Sequence, residues 1–300
     1  MNEVEQRPLA AFAVAVLGIG MLSSMDAVMK GLSQDIGAYA TICWRSILAV
    51  LLLAIPYYAA RKARPGKDAM RLHMVRALIM IPMAFLFFWG LARVPMAQAI
   101  ALSFIAPLTS LFLAAIFLRE RIGPRTLVGS LLALVGVAVI FVGQGQADLG
   151  PEALRGSLAI LGSAVFYAFN IVVMRSQAQK AGPLEIAFFQ YLIGGIGFWL
   201  FAPVAGIPPY PAGHEVTILL ATLLSIAGML LLAWAYARAG AAYLSNSEYT
   251  GFIFAMILGW LVFSESVSPF TFAGGVLIIA GCLLAARTRT IRNPTLETVA

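Results

Sequence analysis

Apolar residues run along this chain in blocks of about 20, the length a helix rising 1.5 Å per residue needs to cross a bilayer. Runs such as residues 130–142 are continuous, not the ten-residue alternating segments of a membrane β-barrel. Helices are then the way to satisfy the backbone in hydrocarbon. The pattern predicts spans over 9–31, 37–59, 73–92, 96–118 and 126–143, then 156–174, 184–204, 216–237, 241–263 and 270–286. Breakers separate them, among them Arg64-Pro65-Gly66, Ile122-Gly123-Pro124 and Ile207-Pro208-Pro209. The expected fold class is all-α integral membrane, with ten transmembrane helices.

Composition strengthens this reading. The chain is 61% hydrophobic and 11% charged, whereas soluble domains carry about a quarter charged residues. Ten spans leave roughly 100 residues for connections, too few for a soluble domain. Glu3 and Glu5 precede the first apolar block, and further spans follow it where a cleavage site would stand, so a signal peptide is not expected. Cys43 and Cys282 both fall inside spans and offer neither a disulfide framework nor a metal quartet.

The net charge of +7 is explained by where the basic residues fall. Fifteen of the 20 Lys and Arg lie on one side, in Arg7, the 61–71 loop, Arg119, Arg121, Arg125, Arg175, Lys180, Arg238 and the tail from Arg287. Lys30, Arg93 and Arg155 lie on the other, and Arg45 and Arg76 are within spans. The basic side is expected to be cytoplasmic, which puts both termini there and draws anionic lipid to that face. No aromatic-laced basic domain is present, and no nucleic-acid partner is expected.

The chain also repeats itself at an offset of 145 residues. Phe88-Trp89-Gly90-Leu91-Ala92-Arg93 returns as Ala233-Trp234-Ala235-Tyr236-Ala237-Arg238, and Met29-Lys30 as Met174-Arg175. Glu120-Arg121-Ile122-Gly123-Pro124 meets Glu265-Ser266-Val267-Ser268-Pro269, and Gly129 and Gly136 meet Gly274 and Gly281. Residues 1–147 and 148–300 are therefore read as two five-helix repeats. Five is odd, so the second half enters the membrane from the opposite side, and the positive charge lost in the copy (Arg119 and Arg121 become Ser264 and Ser266) fits that inversion. Two inverted repeats around a central cavity are a recurrent plan of secondary transporters.

These features resemble the drug/metabolite transporter superfamily, and within it the EamA-type exporters: two halves of five spans, a Pro-containing fourth span, the turn at 120–124 and a Gly-rich span closing each half. The resemblance implies a ten-helix carrier in a bacterial inner membrane, working without cofactor or metal. It implies export of amino acids, aromatic and apolar ones included, or related small metabolites by alternating access, with protons as one coupling ion. The chain is expected to act as a monomer. An exporter of cationic drugs, or a lipid-handling or structural membrane protein, is the alternative. No zinc helix or nucleophile turn is present, and His73 and His214 lie near span ends, so an enzyme is not expected.

Charged groups in hydrocarbon cost about 2.5–3.5 kcal/mol each and become functional candidates by default. Asp26 and Arg45 lie at similar depth on adjacent spans, and Asp26 stands four residues before Lys30. These three are read as a structural ion pair that Asp26 shares between two cations. Glu248 is the leading site residue, embedded in the polar run Tyr243-Leu244-Ser245-Asn246-Ser247-Glu248-Tyr249-Thr250, part of which must face protein or water. Its first-half counterpart carries Gln98 and Ser103. A cavity between the halves is expected to collect Ser24, Gln98, Ser103, Asn170, Asn246 and Glu248 beside Met80, Met83, Phe166, Trp234 and Tyr249, with Arg76 as a candidate carboxylate partner. Pro82 and Pro107 are candidate hinges in spans three and four.

Overall fold

The computed structural model describes residues 8–60, 65–118, 124–146, 150–239 and 244–286, and among them every regular element is helical. The chain forms α1 (Pro8–Asp35), α2 (Ala38–Ala60), α3 (Lys67–Leu91), α4 (Met96–Ser103), α5 (Ile105–Leu118) and α6 (Pro124–Gln146). It continues with α7 (Gly150–Ala178), α8 (Pro183–Leu200), the single turn α9 (Ala202–Ala205) and α10 (Glu215–Tyr236). A 3₁₀ turn (Ser245–Tyr249), α11 (Thr250–Phe263) and α12 (Pro269–Ala286) complete it. Seven of these helices are long and apolar enough to cross a membrane, and shorter apolar helices accompany them. The turn expected at 120–124 lies mostly outside the described residues, as do Arg7, Arg61, Lys62, Arg64, Arg119, Arg121, Tyr243 and the tail from Arg287.

Two expected spans are broken, at equivalent positions. The fourth is interrupted at Phe104 between α4 and α5. The physical cause is Pro107, which has no N–H for the carbonyl of Ser103 and whose ring crowds that carbonyl. In the second half the 3₁₀ turn ends at Tyr249, which is Phe104 plus 145. Ser and Thr side chains compete with the helix ladder here: Ser247 Oγ donates to the Leu244 carbonyl at 2.6 Å and Thr250 Oγ1 to that of Ser247 at 2.6 Å. The two breaks meet, with the Phe104 and Tyr249 rings edge to face at 5.4 Å, and Cys282 donates to the Phe104 carbonyl at 3.2 Å. Pro82, by contrast, sits inside the uninterrupted α3.

Helices of one half pack mainly on helices of the other. α1 packs on α10, α3 on α7, α2 on α8, α4 on α11 and α6 on α12. Shifting every residue by 145 converts the α1–α10 pair into α7–α3 and returns α2–α8 and α6–α12 onto themselves. The correspondence holds for single contacts. Gly18 lies against Gly228, and at the shifted positions Ser163 donates to the Met83 carbonyl at 2.8 Å. Gly90 crosses Gly156, and Ala11 and Ala235, their shifted equivalents, share a buried cluster. Gly129 meets Gly281 as Gly136 meets Gly274.

These glycines permit backbone approach between helices, as small residues do in membranes. A Cβ on Gly281 would stand 2.4 Å from the Gly129 carbonyl oxygen, so Gly281→Ala is expected to cost about 1–3 kcal/mol by overpacking. Gly194 in α8 has nothing within 4 Å of a built Cβ, and Gly194→Ala is expected to be neutral or stabilising by up to about 1 kcal/mol. Thermal unfolding of the two variants in detergent checks both signs.

Candidate functional site

α7 turns one polar face toward α3 and α8. Asn170 and Gln177 lie seven residues apart on that face, and Arg76 reaches both: its Nε donates to Asn170 Oδ1 and its Nη1 to Gln177 Oε1, each at 2.8 Å. Gln177 Nε2 lies 2.6 Å from His73 Nδ1, and His73 Nε2 lies 3.1 Å from Glu185 Oε1 at the start of α8. Arg76, Asn170, Gln177 and His73 are all buried. Hydrogen bonds on every side are what make such burial tolerable.

Beside this network stands an acid. Glu248, in the 3₁₀ turn, is accessible, and Tyr236 Oη donates to its Oε1 at 3.0 Å. Tyr167, also accessible, lies within electrostatic reach of both Glu248 and Arg76. The arrangement therefore presents a carboxylate and a guanidinium, each within electrostatic reach of one tyrosine, with Asn170 accepting from the guanidinium.

Other expected site residues fall elsewhere. Gln98 is buried at the far end of the chain's helices, donating to Gln144 Oε1 at 3.3 Å and Ser157 Oγ at 2.9 Å, so it ties α4 to α6 and α7. Trp234 is exposed near the end of α10: Arg238, one turn on and just past the helix, stands 4.0 Å over the indole and donates to the Trp234 carbonyl. Trp89 and Arg93 repeat that arrangement at 3.6 Å. Ser24 and Ser103 donate back to the Gly20 and Ala99 carbonyls of their own helices. Met80, Met83, Phe166 and Tyr249 are half-buried, and Asn246 is exposed.

The expected Asp26–Arg45–Lys30 ion pair is corrected. Lys30 pairs with Glu265 instead, and also donates to the Val94 carbonyl at 2.6 Å. Ser264, at φ 55°, turns the chain so that Glu265 folds back and accepts from the Met96 N–H at 2.8 Å. Arg45 lies between the rings of Phe88 and Tyr191 and donates to Tyr191 Oη at 3.3 Å, while Tyr191 is hydrogen-bonded to Ser225. Asp26 lies within electrostatic reach of Arg45 without contacting it. Tyr191 also lines an apolar groove of about 370 Å³ between α2 and α8, with Ser46, Val50, Leu192 and Trp199.

The model of the EamA-like transporter family matches this chain twice, over residues 9–142 and 154–287. The chain belongs to the EamA-like transporter family. The two matches begin 145 residues apart, the offset of the internal repeat. Among EamA-like relatives, a pseudopaline exporter of Pseudomonas aeruginosa is 29% identical, over 92% of this chain and 95% of its own. A probable terminal-alkyne amino-acid exporter of Streptantibioticus cattleyicolor is 28% identical, over 93% of each. An S-adenosylmethionine uptake transporter of Rickettsia felis is 24% identical, over 94% of each. A crystal structure shares the fold, with a TM-score of 0.60 over 92% of this chain and 96% of the other at 19% identity. The EamA-like chain is thus a multi-pass membrane protein and a membrane transporter, with relatives in bacteria.

His73, Gln177, Glu185 and Tyr236 were not among the residues the sequence singled out for the site. A signal existed: Asn170 and Gln177 are seven apart, and His73 and Arg76 three apart, so each pair shares a helix face.

Proposed function

We propose that this protein exports amino acids or closely related zwitterions across a bacterial inner membrane by alternating access. The observation that carries the reading is that Glu248 and Arg76 both lie within electrostatic reach of Tyr167, one charge for an α-ammonium and one for an α-carboxylate. Tyr167, Phe166 and the methionines Met80 and Met83 supply apolar wall for a side chain. Support for amino-acid cargo comes from the relative named as an amino-acid exporter.

In this reading ten crossings form two inverted halves, with both termini cytoplasmic. The helix pairs that survive the 145-residue shift support it, as does the meeting of the two broken helices at Phe104 and Tyr249. Discontinuous helices of this kind form the sites of many carriers. The Arg76 site then opens toward the cytoplasm, and the Lys30–Glu265 contact closes the periplasmic end.

The test is transport by the purified protein in proteoliposomes loaded with unlabelled amino acids, following labelled phenylalanine, leucine and threonine. Saturable uptake that both N-acetylation and amidation of the amino acid abolish is the expected result. Flat traces for all three, in liposomes shown to hold folded protein, would overturn the amino-acid reading. Uptake of the amide alone would leave Glu248 as a site for cations.

A further inference from the structure

Four side chains beside the site form a hydrogen-bonded chain whose direction is set by valence. Arg76 only donates, so the Gln177 atom at 2.8 Å from its Nη1 is the carbonyl oxygen Oε1. The other end of the amide is then an NH₂ group, donating over 2.6 Å to Nδ1 of His73, which must be bare. A neutral imidazole with a bare Nδ1 carries its proton on Nε2, and that N–H donates to Glu185 Oε1 at 3.1 Å. The order is Arg76 to Gln177 to His73 to Glu185, every link running from donor to acceptor.

A second proton on His73 breaks this order. Imidazolium donates from both nitrogens, so its Nδ1–H faces the NH₂ of Gln177. Gln177 relieves the clash by rotating its amide half a turn, but its NH₂ then points at the Arg76 guanidinium, donor against donor. His73 has no room to turn away, being 1% exposed and stacked on Phe189 at 4.8 Å. Among the described residues, the charged groups around it are Glu185 from α8, which favours the imidazolium, and Arg76 on its own helix, which opposes it. Asp68 of α3 and Lys180, just past α7, pair with each other at 3.3 Å nearer the surface.

We propose that His73 is a pH-sensitive positioning residue: when neutral it holds Arg76, through Gln177, in place for the anionic group of the cargo, and when protonated it lets Arg76 go. This rests on the reading of Arg76 as the carboxylate partner. Cargo binding then weakens when His73 takes its second proton.

His73 and His214 are the two histidines of the chain, so His214→Gln leaves one imidazole to observe. Nitrogen NMR of histidine-labelled protein in detergent is expected to show the Nε2–H form near neutral pH. Gln177→Glu, whose carboxylate accepts from both Arg76 and Nδ1–H, is expected to move the proton to Nδ1 or add one there. An Nδ1–H form in the His214→Gln protein overturns the proposal.

Transport supplies the second arm, with phenylalanine as probe and equal pH on both faces of the liposome. On acidification the KM is expected to rise about tenfold, the loss of one charge-assisted hydrogen bond. His73→Asn puts an amide oxygen where Nδ1 accepts, with no proton to gain; it is expected to keep the neutral-pH KM and lose the pH response. A flat KM in the unmodified protein, or a response retained in His73→Asn, overturns the switch. Arg76→Leu separates the two readings: a KM unchanged from the unmodified protein at neutral pH overturns both, whereas a raised KM beside a flat pH profile in the unmodified protein overturns the switch alone.

Discussion

Glu248→Gln is expected to lower kcat/KM for amino-acid transport about a hundredfold, because it removes a charge-assisted hydrogen bond to the cargo's ammonium while leaving the shape of the side chain almost unchanged. Charge, not volume, is the variable. Glu248→Asp keeps the charge and withdraws it by one methylene, so a smaller loss, about tenfold, is expected. Tyr236→Phe removes the donor that orients Oε1, 3.0 Å away, and is expected to cost less than either. The measurement is counterflow of labelled phenylalanine in proteoliposomes, with N-acetyl-phenylalanine as competitor. Discrimination against the acetylated compound should collapse in Glu248→Gln, since the acid that prefers an ammonium is gone. Unchanged kinetics with unchanged discrimination would remove Glu248 from the site.

The sequence was most informative where one helix or one repeat sufficed. The 145-residue offset matched the glycines of α6 to those of α12, and the structure packs these small residues against one another. The polar run around Glu248 was legible as a segment part of which must face protein or water, and most of it forms the 3₁₀ turn beside Tyr236. Partner choice across helices was less legible. Lys30 stands one turn from Asp26 and looked paired to it, yet its partner is Glu265, distant by 235 residues, because the chain reversal at Ser264 brings that carboxylate over the end of α1. Spacing along one helix carries no information about such a reversal. Gln98 was misread for a related reason: its place in the repeat matched a polar run, but its neighbours Gln144 and Ser157 come from two other helices. The His73–Gln177 link was hidden because both residues lie near helix ends, where an interfacial explanation suffices for any polar side chain.

Lys30 and Glu265 carry the second large effect. Lys30 is 2% exposed; it donates to Glu265 and to the Val94 carbonyl and lies 5.0 Å over the Phe263 ring. Glu265→Ala leaves that ammonium buried without its counter-ion, and breaking a buried pair from one side costs about 3–5 kcal/mol. It also strips the acceptor from the Met96 N–H, loosening the link between the start of α4 and the turn after α11. Lys30→Met is expected to cost less, since Glu265 is partly accessible and water can take over its solvation. The double change Lys30→Met with Glu265→Met replaces two charges by apolar volume, and is expected to recover most of the loss. Thermal unfolding of the four proteins in detergent gives the coupling energy directly, and strictly additive losses would show that the two residues act independently. Under alternating access the stable double variant has a further consequence. The contact ties the ends of α1 and α11 to the segment joining α3 and α4, so it must open for cargo to leave past that end. Replacing it with an apolar contact of similar strength should leave folding intact while slowing the opening step, giving a lower kcat at nearly unchanged KM.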